Sequence, residues 1–329
     1  MTNVSRTLDW CPKDTSLTLG PSMDTTRKNR SASATILYQL SGESRLVLSD
    51  WRAMLFLRRA TFSTPAAQRR WSVMPGMPRE VWPILRRMVT RGDLESVPGI
   101  QHLYRASVPY ARERLLDERE VLMEIHPYAC LGYLSALFYH GMTETMPKVI
   151  TAVAPSDGKG GLLPPGTDAD DWEGLEPVKG RRVANVLGWP VRWRSAKPER
   201  YFGFELYRGG GFPLRVTTPE RTLVDGLRAP ELCGGLPNVL GGWASSKDFL
   251  DVDSVVYQVE RLDEGILRQR VGFVLDELDL SHGALEGWRA RKERGGSSKL
   301  LASAPYQPSY DERWDLSINA PVDALRESV

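Results

Sequence analysis

The sequence predicts a mixed α/β protein in which an N-terminal winged helix-turn-helix precedes a larger α+β C-terminal domain. The length of 329 residues exceeds that of one usual domain. Short amphipathic helices followed by two short strands come before residue 114, and helices alternate with strands after it. We therefore expect a disordered tail at 1–35, a winged-helix domain at 36–114 and a mixed α/β domain at 115–329.

Two helices are predicted at the front of the winged-helix domain. Ser49 has the side chain of a helix cap and predicts a helix over about 50–59. Thr64-Pro65 is a cap followed by proline, which predicts a second helix through Trp71. Pro75-Gly76 ends that helix.

The third helix, about 80–90, is predicted to be the recognition helix. Pro83 fits in its first turn, where the missing N–H breaks no bond, and Gly92 ends it. Two short strands at 94–97 and 102–106 then flank the turn Pro98-Gly99, and the hairpin tip at 98–102 is the predicted wing. The apolar stripe of the helix is formed by Val81, Leu85, Met88 and Val89.

The charge distribution indicates that the front domain binds nucleic acid. From Arg45 to Arg114 the sequence contains 13 arginines, five acidic residues and no lysine, whereas 115–329 has a net charge of −7. Arginine can bind phosphate and guanine in a bidentate manner, which lysine cannot. A basic segment beside an acidic one is typical of a nucleic-acid module joined to a companion domain.

The candidate DNA-binding residues lie on the third helix, before it and in the wing. The helix has its arginines opposite its apolar stripe, as a helix in the major groove requires. A merely solvated basic face is the alternative, but such a face usually mixes both signs of charge. The candidates are Arg69, Arg70, Arg79, Arg86, Arg87, Arg91, Gln101, His102 and Arg105.

In the rear domain we expect helices at about 113–125, 128–139, 219–227, 252–261 and 265–278. Strands are predicted near 149–153, 189–194, 201–207, 214–216, 299–302 and 313–318. The segment 156–174 is rich in Gly, Pro and Asp, so we expect an irregular exposed loop there.

Several function classes lack sequence support. Three scattered cysteines and four histidines form no CxxC or His/Cys cluster, which predicts no metal, no cofactor and a reducing, cytoplasmic location. Neither a GxSxG nucleophile elbow nor a GxxxxGK[ST] phosphate loop occurs. No apolar run approaches the ~18 residues of a membrane helix. We expect neither enzymatic activity nor membrane insertion.

Four segments, taken in order, resemble the AbiEi-type antitoxins of abortive-infection systems. The first two are YLSALFYHGMTE at 133–144 and VTTPERTLVD at 216–225. LCGG at 232–235 with QRVGFVLD at 269–276, and then RWDLSIN at 313–319, continue the pattern. With the predicted winged helix in front, the resemblance covers residues 40 to 320 in outline.

The resemblance implies an antitoxin of a two-gene toxin–antitoxin system that acts in phage defence. Such antitoxins repress their own operon by binding promoter inverted repeats through the N-terminal domain. Their C-terminal domain neutralises a nucleotidyltransferase-like toxin, often without a stable complex. The residues singled out for antitoxin function are Glu220, Arg221, Asp225 and Arg270.

The same four residues also have a purely structural interpretation. Thr218-Pro219 is a helix start, and Glu220 meets the positive end of the helix dipole. Arg221 and Asp225 are four residues apart, as in a local ion pair. Arg270 lies in an otherwise apolar helix and is equally open to both interpretations.

Two other function classes stay open. The acidic domain of a ligand-responsive transcription factor would bind an effector, and promoter affinity would then change with a metabolite. A DNA-processing enzyme is less favoured, because Asp168, Asp170 and Asp171 lack the lysine that accompanies carboxylates in metal nucleases. Toxicity of the neighbouring gene would favour the antitoxin.

Overall fold

The computed structural model describes residues 30–107, 114–209, 212–291 and 298–326. The protein is mixed α/β, as predicted. Its N-terminal helices and small sheet are followed by a larger region of sheet and helices. Of the predicted tail at 1–35, residues 1–29 lie outside the described residues.

Residues 32–106 have the topology of a winged helix. β3 lies between β1 and β2 and is antiparallel to both. The predicted wing is therefore confirmed. The elements are α1 (Ala32–Gly42), β1 (Val47–Ser49), α2 (Asp50–Ser63), α3 (Trp82–Thr90), β2 (Leu94–Ser96) and β3 (Leu103–Ala106).

Two expectations for this region were wrong. Residues 32–35 belong to α1, which the Ser31 side chain caps, and not to the tail. The helix expected from Thr64 to Trp71 is absent, and only a 3-10 turn forms there, at Ala66–Gln68. Thr64 has extended backbone angles, and the Trp71 indole donates to Thr61 Oγ1 at 2.8 Å. Contacts with α2 thus hold this segment in an irregular conformation.

The rear region contains a six-stranded mixed sheet with the order β6-β7-β5-β4-β9-β8. β5 is parallel to β7 and β4 to β9, and the other neighbours are antiparallel. Its strands are β4 (Cys130–Leu131), β5 (Ile150–Pro155), β6 (Asn185–Val186), β7 (Trp189–Ala196), β8 (Phe204–Gly209) and β9 (Phe212–Thr217).

Seven helices and a short hairpin accompany this sheet among the described residues. The helices are α4 (Glu118–Ile125), α5 (Leu134–Tyr139), α6 (Pro219–Arg228), α7 (Leu236–Ser246), α8 (Val252–Leu262), α9 (Gly265–Glu277) and α10 (Ala284–Ala290). The hairpin pairs β10 (Tyr310–Asp311) with β11 (Leu316–Ser317). The sequence predicted neither α7 nor α10, and at 299–302 it predicted a strand where only a Lys299–Ser317 bridge forms.

The winged helix and the sheet share one hydrophobic core. Phe56 and Leu85 of the winged helix belong to the same buried cluster as Leu122 of α4 and Val216 of β9. A second cluster lies among α6–α10 and contains three fully buried tryptophans. We expected 113–125 to link two domains, but α4 is instead part of the shared core.

The loop 156–174 is less exposed than the sequence predicted. Asp171 and Trp172 are buried, and the Trp172 ring lies 6.2 Å from that of Trp51 in α2. The loop therefore packs on the winged helix. None of the helices in the described part of the chain is long and apolar enough to cross a membrane.

Candidate nucleic-acid interface

α3 has one buried face and one basic face. Leu85 and Met88 are fully buried, and Val81 in the preceding 3-10 turn is buried with them. Arg79, Arg86 and Arg87 are exposed on the other side. Among the described residues, none of these three arginines forms an ion pair. Their full charge is therefore available to an external anion.

Arg91, at the end of α3, differs from these three. Its Nε donates to Asp93 Oδ2 at 2.9 Å, so its charge is balanced within the chain. Because exposed pairs of this kind are worth at most about 1 kcal/mol, a phosphate can compete for Arg91. We rank it below Arg86 and Arg87 as a DNA contact.

Aromatic and polar contacts fix the start of α3 against α2 and the wing. The Trp82 indole N–H donates to Asp50 Oδ2 at 2.8 Å. The Trp82 ring also stacks on that of His102, and the Asp50 amide donates to the His102 carbonyl at 3.2 Å. The roles of Trp82 and Asp50 were not predicted from the sequence, although a tryptophan at the start of an arginine-rich helix was a usable signal.

The three wing candidates have different surroundings. Gln101 is exposed in the turn between β2 and β3. His102 is engaged by Trp82, and Arg105 is half-buried and donates to the Arg114 carbonyl at 3.1 Å. Gln101 is thus free to meet DNA, whereas His102 and Arg105 mainly hold the wing in place.

Arg69 and Arg70 lie in the irregular segment between α2 and α3. Backbone hydrogen bonds at both neighbours of Arg69 tie the segment to Arg30, just before α1. Arg70 is exposed, whereas Arg69 is half-buried and lies 6.0 Å from the Trp71 ring. Arg70 is the more accessible of the two.

Four of the arginines in the basic front segment face inward. Fewer arginines are therefore available to an external anion than the sequence indicated. Arg52 is buried and its Nε binds both oxygens of Glu124, at 2.8 and 2.9 Å. Arg59 binds Asp171 at 2.6 Å, and Arg58 donates to the Glu173 carbonyl at 2.8 Å. Arg45 is buried and paired with Glu43 and Glu124. These side chains attach the winged helix to the rear region.

Glu124 of α4 stays ionised in its ion pair with Arg52 of α2, although both side chains are buried. Burial raises the pKa of Glu124, but Arg52, Arg45 and the Ser49 hydroxyl outweigh it and hold this pKa below its ordinary value. Ser49 donates to Glu124 at 2.6 Å and also caps α2. The start of α2 is thereby fixed to the rear region.

The candidate antitoxin residues of α6 are mostly internal. Arg221 is buried, pairs with Asp225 at 2.9 Å, and donates to the Phe202 carbonyl at 2.9 Å. Thr218 caps the helix as predicted. Glu220 is half-buried and is the most accessible of the four candidates.

Arg270 of α9 is also internal. Its Nε donates to the Lys299 carbonyl at 2.9 Å and its Nη1 to the Leu227 carbonyl at 3.0 Å. Arg270 therefore joins α9 to the end of α6 and to the 299 segment. Among the described residues, no hydrogen bond or ion pair connects Arg270 to Arg221.

Two of the family-like segments meet in space. Leu131 of β4 pairs with Val216 of β9, and His140 Nε2 lies 2.7 Å from the Thr217 carbonyl oxygen. Between them, Tyr133 has a φ of +54°, which is strained for a residue other than glycine. Residues 133–144 and 216–225 thus form one continuous feature of the rear region.

A groove of about 270 Å³ lies beside this feature. Its apolar lining includes Leu131, Phe138, Ile150 and Trp189. Glu118 and Arg119 of α4 add charged side chains to the lining. The described residues contain no group of three His, Cys, Asp or Glu side chains able to hold a metal.

None of the known protein-family models matches this chain, and no curated protein sequence matches it. Among solved structures, the crystal structure of the RV2827C protein from Mycobacterium tuberculosis is similar, with a TM-score of 0.49 and 13% sequence identity. The match covers 92% of this chain and 96% of that one.

Proposed function

We propose that this protein is a DNA-binding repressor of the antitoxin type. It binds inverted repeats in its own promoter and neutralises a nucleotidyltransferase-like toxin encoded beside it. One observation carries the DNA-binding part: α3 of a winged helix exposes Arg86 and Arg87, and the 3-10 turn before it exposes Arg79, all without a carboxylate partner among the described residues.

The basic face of α3 suits the major groove. Its buried face packs into the shared core, so the helix is held rigidly while its arginines point to solvent. Arginine is the side chain that most often recognises guanine in that groove. Inverted repeats imply two chains, each placing one α3 about ten base pairs from the other.

The antitoxin part rests on the resemblance and on one feature of the rear region. The two family-like segments are joined by the His140–Thr217 contact, and Leu131, just before the first segment, pairs with Val216 of the second. Glu220 lies at this junction and is partly accessible. Arg221 and Asp225 support the feature from inside, whereas Arg270 contacts Leu227 and Lys299 outside it.

Repression is tested with a reporter gene fused to the DNA upstream of this gene. The full chain is expected to lower reporter output, and Arg86→Ala/Arg87→Ala is expected to restore it. Arg192→Ala/Arg194→Ala removes the same charge from exposed positions of β7 and serves as the control. Equal repression by all three proteins would count against α3.

Neutralisation is tested by expressing the neighbouring gene with and without this chain. Growth arrest by the neighbour alone, relieved by the full chain, is the expected result. A neighbour that does not impair growth would remove the antitoxin part and leave DNA binding intact.

Effector-responsive repression is a second candidate function, favoured by the groove. α4 contributes Glu118 and Arg119 to the groove and Glu124 to the ion pair with Arg52 of α2. A ligand in the groove could thereby act on the winged helix. A small-molecule extract of host cells should then change promoter affinity, and Phe138→Ala should abolish the change. Unaltered affinity would exclude effectors present in that extract.

A further inference from the structure

A second group of exposed cations lies beside the wing. Lys179, Arg181 and Arg182 surround Gly180 in the segment before β6, and we call residues 179–182 the wing-side strip. Arg181 Nη2 donates to the backbone carbonyl of Gln101, in the wing turn, at 2.9 Å. The net negative charge of the rear region concealed this strip in the sequence.

The wing-side strip is anchored. The Arg181 amide donates to the Ile125 carbonyl at 3.1 Å. Gly180 lies so close to His126 that an added Cβ would be 2.4 Å from the imidazole ring. Arg182 lies 6.0 Å from the centre of the Trp193 ring. The strip therefore keeps its place relative to the wing.

The charges of the strip are not neutralised within the described chain. All three cations are exposed, and none forms an ion pair with a described carboxylate. Arg52 and Arg59, in contrast, are bound to Glu124 and Asp171. Three uncompensated cations on an anchored segment form a surface suited to a polyanion.

We propose that the wing-side strip is a second contact with DNA phosphates, made beside the wing while α3 occupies the major groove. This inference rests on the proposed DNA-binding function and adds a contact from the rear region to it. Contacts with phosphate carry no sequence information but fix the orientation of a protein on the duplex. The strip would therefore raise affinity for every sequence by a similar factor.

The test compares two double variants that lose the same charge. Arg181→Gln/Arg182→Gln alters the strip, whereas Arg192→Gln/Arg194→Gln alters exposed residues of β7 that alternate with Val191 and Trp193. Since Arg182 lies against Trp193, Arg192 and Arg194 lie on the face of β7 opposite to Arg182. Binding of the full chain to a promoter duplex of about 30 base pairs, three turns of DNA, is measured against salt concentration.

The strip variant should weaken binding and lower the slope of log K against log salt by about 1.8, or 0.9 for each lost phosphate contact. The control should change the slope less. Lys179→Gln, which removes no hydrogen bond between described residues, should lower it by about 0.9. If the strip variant and the control variant both keep the salt slope of the parent, the inference is overturned. This holds even if Arg86→Ala/Arg87→Ala abolishes binding. A parent chain that binds no duplex would overturn the proposed function as well.

Discussion

The imidazole of His102 stacks on the indole of Trp82, with ring centroids 4.1 Å apart and an interplanar angle of 4°. Trp82 begins α3, and His102 ends the wing turn with a φ of +57°. The stack therefore connects α3 directly to the wing. A duplex bound by both elements would depend on this connection.

Replacing His102 by Ala should loosen the wing. The lost aromatic contact is worth about 0.5–1.5 kcal/mol, and we expect a loss of that size in the unfolding free energy. Affinity for promoter DNA should fall as well, because the wing would no longer be held beside α3. Urea unfolding and fluorescence anisotropy measure the two effects. Gln101→Ala, at an exposed neighbour, should leave stability unchanged. Equal stability of both variants would contradict the role given to the stack.

Glu124→Gln should destabilise the whole protein. Removing one member of a buried pair leaves an uncompensated charge, here on Arg52, at a cost of about 3–5 kcal/mol. The exposed pair between Arg91 and Asp93 provides the control, since Asp93→Asn should change stability by less than about 1 kcal/mol. The midpoint of urea unfolding reports both. A loss no greater than that of the control would show that the pair does not attach α2 to α4.

Acid should destabilise the protein through His126. Burial lowers the pKa of His126 from 6.5 to about 4. Since the folded pKa lies below the unfolded one, this contribution is complete above pH 6.5 and is lost as the pH falls towards 4. We expect the unfolding free energy to drop over this interval by up to about 3 kcal/mol.

His126→Phe should flatten that pH dependence, since phenylalanine stays neutral. His282→Asn, at a partly exposed site, is the control and should keep it. The pKa of Glu124 is lowered from its ordinary value of 4.5, so Glu124 affects stability only below that pH, and most of the His126 window lies above it. An unchanged slope in His126→Phe would mean that another group titrates.

Variants of Arg221 and Glu220 should distinguish a loss of stability from a loss of antitoxin function. Arg221→Gln breaks a buried pair and should destabilise by about 3–5 kcal/mol, so any loss of rescue would follow from unfolding. Glu220 is half-buried, and Glu220→Gln should impair rescue of toxin-expressing cells. The thermal unfolding and DNA affinity of this variant should stay at parental values. Full rescue by Glu220→Gln would show that the Glu220 carboxylate has no part in neutralising the toxin. Both experiments need the full chain, because the winged helix shares its core with the sheet.

The elements with local signals were predictable. Ser49 caps α2, Gly92 ends α3 with a φ of +78°, and Thr218 caps α6. Each signal acts within one helical turn and can therefore be read without knowing the fold. The wing followed from the turn between two short strands.

The partners of the inward arginines were not predictable. Arg52 binds a carboxylate 72 residues away, and Arg59 binds one 112 residues away. No spacing rule connects such positions, so counting charges overstated how many arginines face outward. The same limit concealed the wing-side strip, whose place beside Gln101 depends on a contact 80 residues apart.

The salt dependence of DNA binding by Arg86→Ala/Arg87→Ala tests the central claim most directly. The parent and the variant are titrated with a promoter duplex at several salt concentrations, and circular dichroism checks that both are folded. If α3 lies in the major groove, the variant should bind more weakly, and the slope of log K against log salt should fall by about 0.9 for each arginine that contacts phosphate. A folded variant that binds the promoter as tightly as the parent, with the same slope, would contradict the account.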